Sequence, residues 1–196
     1  MALKTKVKVG NITNLSEARY CAGMGVDLLG FPVSGPDGIS LEKFKEINGW
    51  ITGPELVIEI DSSDNADELI EQFFAHHIEV DASLLSSLPD LKDRSLIVRV
   101  DLSNWKNTAA QLLPYKESIQ YLIVRNVLDA SIKILKEAAQ NYSLLLEFDG
   151  KADLEDLLDL PMTGLALKGG NELKPGLKEY DQIASVLEKL EAEEAD

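Results

Sequence analysis

Eight short apolar runs recur along this chain, each followed by a segment with helical periodicity or a helix cap. This alternation constrains the fold more than any other feature. The runs are residues 7–9, 27–33, 56–60, 78–80, 96–100, 121–124, 144–148 and 164–167. Between them the sequence predicts helices over 14 to Gly23 or Gly25, 40–48, 65–75, 107–113, 130–140, 153–158 and 180–193. Asn14 with Glu17, and Asn65 with Glu68, have capping-box spacing. After residue 80 only Leu84, Leu85 and Leu88 suggest a helix before Pro89 and Asp90 break it. Runs this continuously apolar suit parallel strands covered on both faces. Eight units in 196 residues is about 24 each, near the lower bound for a TIM (β/α)8 barrel. A doubly wound open sheet has the same alternation, so the pattern alone admits both. No low-complexity linker divides the chain, which reads as one domain over 1–196 with an acidic helix end at 188–196.

Charge narrows the function. Nineteen Lys and Arg face 34 Asp and Glu, for a net charge of −15. That balance excludes a general binder of nucleic acid or anionic membrane, which needs excess cations. No apolar run has the length of a membrane span, and residues 1–8 lack the apolar core of a secretory signal. The single cysteine, Cys21, excludes an intrachain disulfide framework and a Cys-rich zinc module. The expectation is a soluble cytoplasmic protein, with its oligomeric state left open.

Three segments carry a family resemblance. Val7-Lys8-Val9-Gly10-Asn11-Ile12-Thr13-Asn14 resembles the V-K-I-C-G-I-T-N opening of phosphoribosylanthranilate isomerase. Asp27-Leu28-Leu29-Gly30-Phe31 is similar to the family's A-L-G-F strand. Gly170-Asn171-Glu172-Leu173-Lys174-Pro175-Gly176 is similar to its S-G-V-E-x-x-P-G loop. From about Gly53 to Met162 only the strand–helix rhythm matches. The resemblance implies a (β/α)8 barrel and, for a faithful member, an Amadori isomerisation in tryptophan biosynthesis without a cofactor or metal.

The departures fall on the chemistry that the resemblance implies. The family's general base is the motif cysteine, and here that position is Gly10, which has no group to carry a proton. Cys21, in the following helix, reads as a small buried hydrophobe. The family's general acid is an aspartate ending the sixth strand. The matching position is Arg125, or Asn126 if the alignment slips by one, and a guanidinium is a poor proton donor. Asp37 replaces an arginine that holds the anionic substrate. The glycine-rich loop after the sixth strand has no counterpart, and Glu147-Phe148-Asp149-Gly150 stands for the family's A-G-G. What survives is Lys168-Gly169-Gly170, which with Gly150 forms the candidate phosphate site. Its alternative reading is a tight turn into the last helix. Asn11, Asp37, Asp101, Arg125, Glu147 and Asp149 are the candidate pocket-lining residues.

Two further patterns stand apart from the resemblance. Asp61, Asp81, Asp101 and Asp149 each follow an apolar run. They read either as helix caps and turn residues or as an acidic rim suited to Mg²⁺ or carboxylate chemistry. Lys8, Glu59, Glu79, Arg99, Arg125, Glu147 and Lys168 interrupt the strands, and some must point inward. Four cations and three anions predict an internal ion-pair network in place of a catalytic centre. His76 and His77, expected at a helix end, are adjacent and therefore cannot face one site on a helix. No metal site is expected from them. Neither Trp50 nor Trp105 is diagnostic.

Three functions follow as expectations. The first is a diverged or inactive homologue of the isomerase that binds a phosphorylated or carboxylated small molecule, or acts as an interaction protein without turnover. The second is an active isomerase using other proton carriers, such as Asp101 or Asp149. The third is a different enzyme with an acidic, Mg²⁺-dependent site.

Overall fold

Each apolar run becomes a parallel strand because its alternate side chains bury themselves on two different sides. Those pointing outward pack under helices; those pointing inward fill a barrel. The computed structural model describes residues 2–88, 91, 93–127, 132–169, 172–174, 177–178 and 181–192. Its strands are β1 (Lys6–Gly10), β2 (Leu28–Pro32), β3 (Glu55–Ile60), β4 (His77–Asp81), β5 (Leu96–Asp101), β6 (Ile119–Arg125), β7 (Leu144–Glu147) and β8 (Gly164–Lys168). They pair in chain order and close through β1–β8, with Lys8 opposite both Leu28 and Ala166. Closure removes the open-sheet alternative. A short antiparallel pair, β9 (Glu172–Lys174) and β10 (Leu177–Lys178), follows the barrel.

The helices are α1 (Leu15–Gly23), α2 (Leu41–Asn48), α3 (Ala66–Gln72), α4 (Trp105–Leu112), α5 (Ile132–Ala139), α6 (Leu154–Leu158) and α7 (Asp181–Leu190). After β4, the described residues form only a 3₁₀ turn, Ala82–Leu84. Leu85 and Leu88 still bury their side chains, so the reduced unit contributes packing without a full helix. Among the described residues no helix is long and apolar enough to cross a membrane.

Several local expectations change. Asn14 caps α1 as expected, accepting from the Glu17 N–H at 2.9 Å. Asn65 does not cap α3 with its side chain; it takes a left-handed conformation, φ 55°, and the helix stops at Gln72. His76 and His77 are not at a helix end. His77 opens β4, and the His76 Nδ1 accepts from the Leu56 N–H at 2.9 Å. Helix α7 ends at Leu190 because the next residue, Glu191, bridges to Leu3. Tyr180 and residues 193–196 lie outside the described residues.

Inside the barrel the side chains form three levels. A central apolar level comprises Leu28, Val57, Ile97, Ile123, Leu145 and Ala166. Below it, His77 joins Ser95 (2.6 Å) and Glu55 (2.8 Å), a polar plug at the N-terminal end of the strands. Above it, at the C-terminal ends, the level is charged. The outward residues of the same strands belong to a separate, larger core shared with the helices.

Candidate functional site

Lys8 is the inward residue of β1 beside the central level, and its stem carries the ammonium up toward the mouth. There it meets Glu59 Oε1 of β3 at 2.6 Å and Glu79 Oε2 of β4 at 2.5 Å. All three are buried, with exposures of 2%, 8% and 3%. A single buried ammonium between two carboxylates ties the three together, because removing Lys8 would leave two buried carboxylates with no ammonium between them. Burial opposes the charge on Lys8, but Glu59 and then Glu79 outweigh it and hold its pKa above the ordinary value. Lys8 is therefore a protonated strut and not an amine nucleophile. For Glu79, burial dominates over the pull of Lys8, and its pKa lies above the ordinary carboxylate value.

The network continues sideways. Arg99 of β5 reaches Glu79 Oε1 at 3.5 Å and hydrogen-bonds Asp61 and the Ile60 carbonyl. Arg125, the last residue of β6, pairs with Asp81 of β4 at 2.6 Å. Asp81 also accepts from the Ser83 N–H and hydroxyl. Burial opposes its charge, but the Ser83 bonds, then Arg125 and Arg99, hold its pKa below the ordinary range.

Two glycines make room for this arrangement. A methyl group added at Gly10 or Gly30 would collide with the Glu59 carboxylate and approach Lys8 Nζ to 2.8 Å. Asn11 follows in the left-handed region, φ 57°, and its N–H donates to Glu59 Oε2 at 2.9 Å. Asn is the non-glycine residue that tolerates this conformation best, which explains how it replaces the glycine of the opening motif. Both Glu59 oxygens are thus engaged.

Above the network lies a cavity of about 330 Å³. Of the expected pocket residues, Asn11, Asp37, Arg125, Glu147 and Lys168 line it, together with Lys8, Glu59, Glu79, Arg99 and Asp61. Asp101, Asp149, Gly150 and Gly169 are not among the lining residues. Asp101 accepts from the Ser103 N–H (2.8 Å) and Asn126 Nδ2 (2.9 Å), and those bonds lower its pKa. Asp149 accepts from the Lys151 backbone and side chain, which likewise lowers its pKa. Both act locally, as turn residues. The N–H of Gly169 donates to the Gly10 carbonyl at 2.7 Å. The fully buried Glu17 sets its Oε1 within 2.8 Å of where a Gly169 side chain would begin. Gly170 lies outside the described residues.

Two features of the site escaped the sequence. In the sequence Glu17 has only the spacing of a capping partner, and its burial beneath the β8 loop depends on barrel closure. Gly30 had a signal, since a lone glycine inside a strand marks a close approach. Cys21 is buried among apolar neighbours away from the mouth. Among the described residues no three His, Cys, Asp or Glu side chains are grouped to hold a metal ion.

No family model matches the sequence, and no curated protein matches it either. Solved structures do match. Phosphoribosyl anthranilate isomerase from Thermus thermophilus is 19% identical, with a TM-score of 0.69 over 94% of this chain and 98% of that one. The Thermotoga maritima isomerase is 18% identical, with a TM-score of 0.65 over 91% and 95%. A truncated 3-deoxy-D-arabino-heptulosonate 7-phosphate synthase from Thermotoga maritima also matches, 12% identical with a TM-score of 0.66 over 94% and 84%. At such identities the similarity is one of fold, and the fold expected from the resemblance is the one observed.

Proposed function

We propose that this chain is a diverged barrel of the phosphoribosylanthranilate isomerase type that has lost that isomerisation and keeps its mouth as a small-molecule pocket. An Amadori rearrangement needs an acid and a base within hydrogen-bonding reach of the sugar. The observation that carries the reading is at Gly10. The base position has no side chain, and the space above it is filled by the Glu59 carboxylate and the Lys8 ammonium. Glu59 is a poor substitute base because Lys8 and the Asn11 N–H occupy both of its oxygens. At the acid position Arg125 is a permanent cation tied to Asp81.

Alternative proton carriers find little support. Asp101 and Asp149 are outside the cavity lining and are held ionised by local hydrogen bonds. A phosphorylated ligand draws support from Lys168, but the Gly169 N–H is already committed and Glu17 sits beside it.

The direct test is turnover of phosphoribosylanthranilate by the purified chain, with complementation of a tryptophan auxotroph lacking the isomerase. Neither turnover nor growth is expected. Growth above the empty-vector background would return the chain to the active enzymes.

A further inference from the structure

The cavity walls carry nine charged side chains, and most are already neutralised by one another. Lys8 is shared by Glu59 and Glu79, Arg99 by Asp61 and Glu79, and Arg125 by Asp81. A ligand that drew on any of these would leave its partner stranded in a partly dry site. The charges available to a ligand are those with no such commitment among the described residues. They are Glu147, half-buried at the end of β7, Lys168 at the end of β8, and Asp37, exposed on the rim.

Glu147 and Lys168 carry opposite charges on neighbouring strands, yet no ion pair joins them. The register sets Glu147 beside Ala166, with Lys168 two residues further on the same inward face. Strand rise and spacing put their Cα atoms roughly 8 Å apart. The small side chain of Ala166 leaves the wall between them open, with Ile123 and Leu167 adding apolar surface to the lining. A simple anion at Lys168 would also face Glu147 and Asp37. A simple cation at Glu147 would leave Lys168 unsatisfied. A molecule with both charges a few ångströms apart satisfies the pair at once, and 330 Å³ is at the small end of ordinary ligand cavities.

We infer that the barrel mouth binds a small zwitterion of the α-amino acid type, its ammonium on Glu147 and its carboxylate on Lys168. The inference rests on the reading above that the mouth is a binding pocket without isomerase activity. Asp37 adds negative potential at the entrance, so the site favours zwitterions that carry no further negative charge.

The test is a thermal-shift screen of the full chain against the common amino acids at millimolar concentration, with inorganic phosphate as a parallel arm. The strongest stabiliser is then titrated calorimetrically beside its decarboxylated amine and its deaminated acid. At least one amino acid should raise the melting temperature by several degrees. The amine and the acid should each bind about ten-fold more weakly or worse. Glu147→Gln and Lys168→Gln should each cause a comparable loss while their own melting temperatures stay near that of the parent. A silent amino-acid panel overturns the inference, as does a response to phosphate alone or a response indifferent to both substitutions. Measured on the same sample, absent turnover with a silent panel sinks only this inference. Turnover of phosphoribosylanthranilate sinks the reading on which it rests.

Discussion

Position 10 shows how a single glycine shapes a site. Without a Cβ, β1 lets the Glu59 carboxylate cross in front of it and reach Lys8. A cysteine at this position, as in the motif that β1 resembles, would therefore set a thiol against a buried ion pair. Gly10→Cys should destabilise the fold by about 2–4 kcal/mol, as strained packing and a disturbed buried pair do, measured by urea unfolding. Adding Arg125→Asp should not bring isomerase activity, because Glu59 and Lys8 still fill the space. Wild-type stability in the Gly10→Cys protein would mean that Glu59 has another rotamer available. Glu79 carries a separate prediction. Its folded pKa is raised, so the folded state binds its proton more tightly than the unfolded state. That contribution is fully present below the ordinary value of 4.5 and is lost as pH rises through the folded pKa. Glu79→Gln should therefore gain relative to the parent as pH rises from 4.5 toward neutrality. A difference independent of pH across that window would contradict the assignment.

At the scale of elements, α1 and β8 meet beneath the mouth. The Asn14 side chain starts α1, and the fully buried Glu17 follows it against Gly169, whose N–H holds β1. Asn14→Ala should destabilise the chain by about 1 kcal/mol through loss of the cap, read by the same urea titration. A change within error would show that burial of Glu17 alone fixes the helix start. These elements were largely legible in the sequence. All eight strands lie where the apolar runs fall, because burial on both faces demands unbroken apolar stretches. Helix ends were less legible. Asn65 has the residue type and spacing of a cap but adopts φ 55°, and its side chain makes no cap hydrogen bond to the helix. His77 sits in a strand because Val57 and His77 are register partners. Nothing local to two adjacent histidines reveals that.

For the whole molecule, charge is the governing quantity. Glu55, hydrogen-bonded to His77, and Asp81, Asp101 and Asp149 all have lowered pKa values. Their contribution is present above the ordinary carboxylate range and lost as pH falls through the folded values. Stability should therefore decline on acidification below about pH 4, opposite in sign to the Glu79 contribution. At neutral pH the net charge of −15 repels itself. Raising salt from a few millimolar to about 0.15 M shortens the screening length to ~8 Å. The melting temperature should then rise, as followed by circular dichroism. A fall would mean that the mouth's ion pairs matter more to stability than the global repulsion.

The amino-acid sequence by itself determined the number of barrel strands and their order along the chain, the absence of an intrachain disulfide framework, and the presence of a glycine at position 10 and an arginine at position 125. These follow from periodicity and residue type, which are local properties. Closure decided the rest. Only in the closed barrel do Lys8, Glu59, Glu79 and Arg99, up to 91 positions apart, meet at one level. Only then does it become visible which charges are spent on one another and which, Glu147 and Lys168, remain at the mouth. Pairing is a property of distance through space, and a buried charge is stable only when its partner is near.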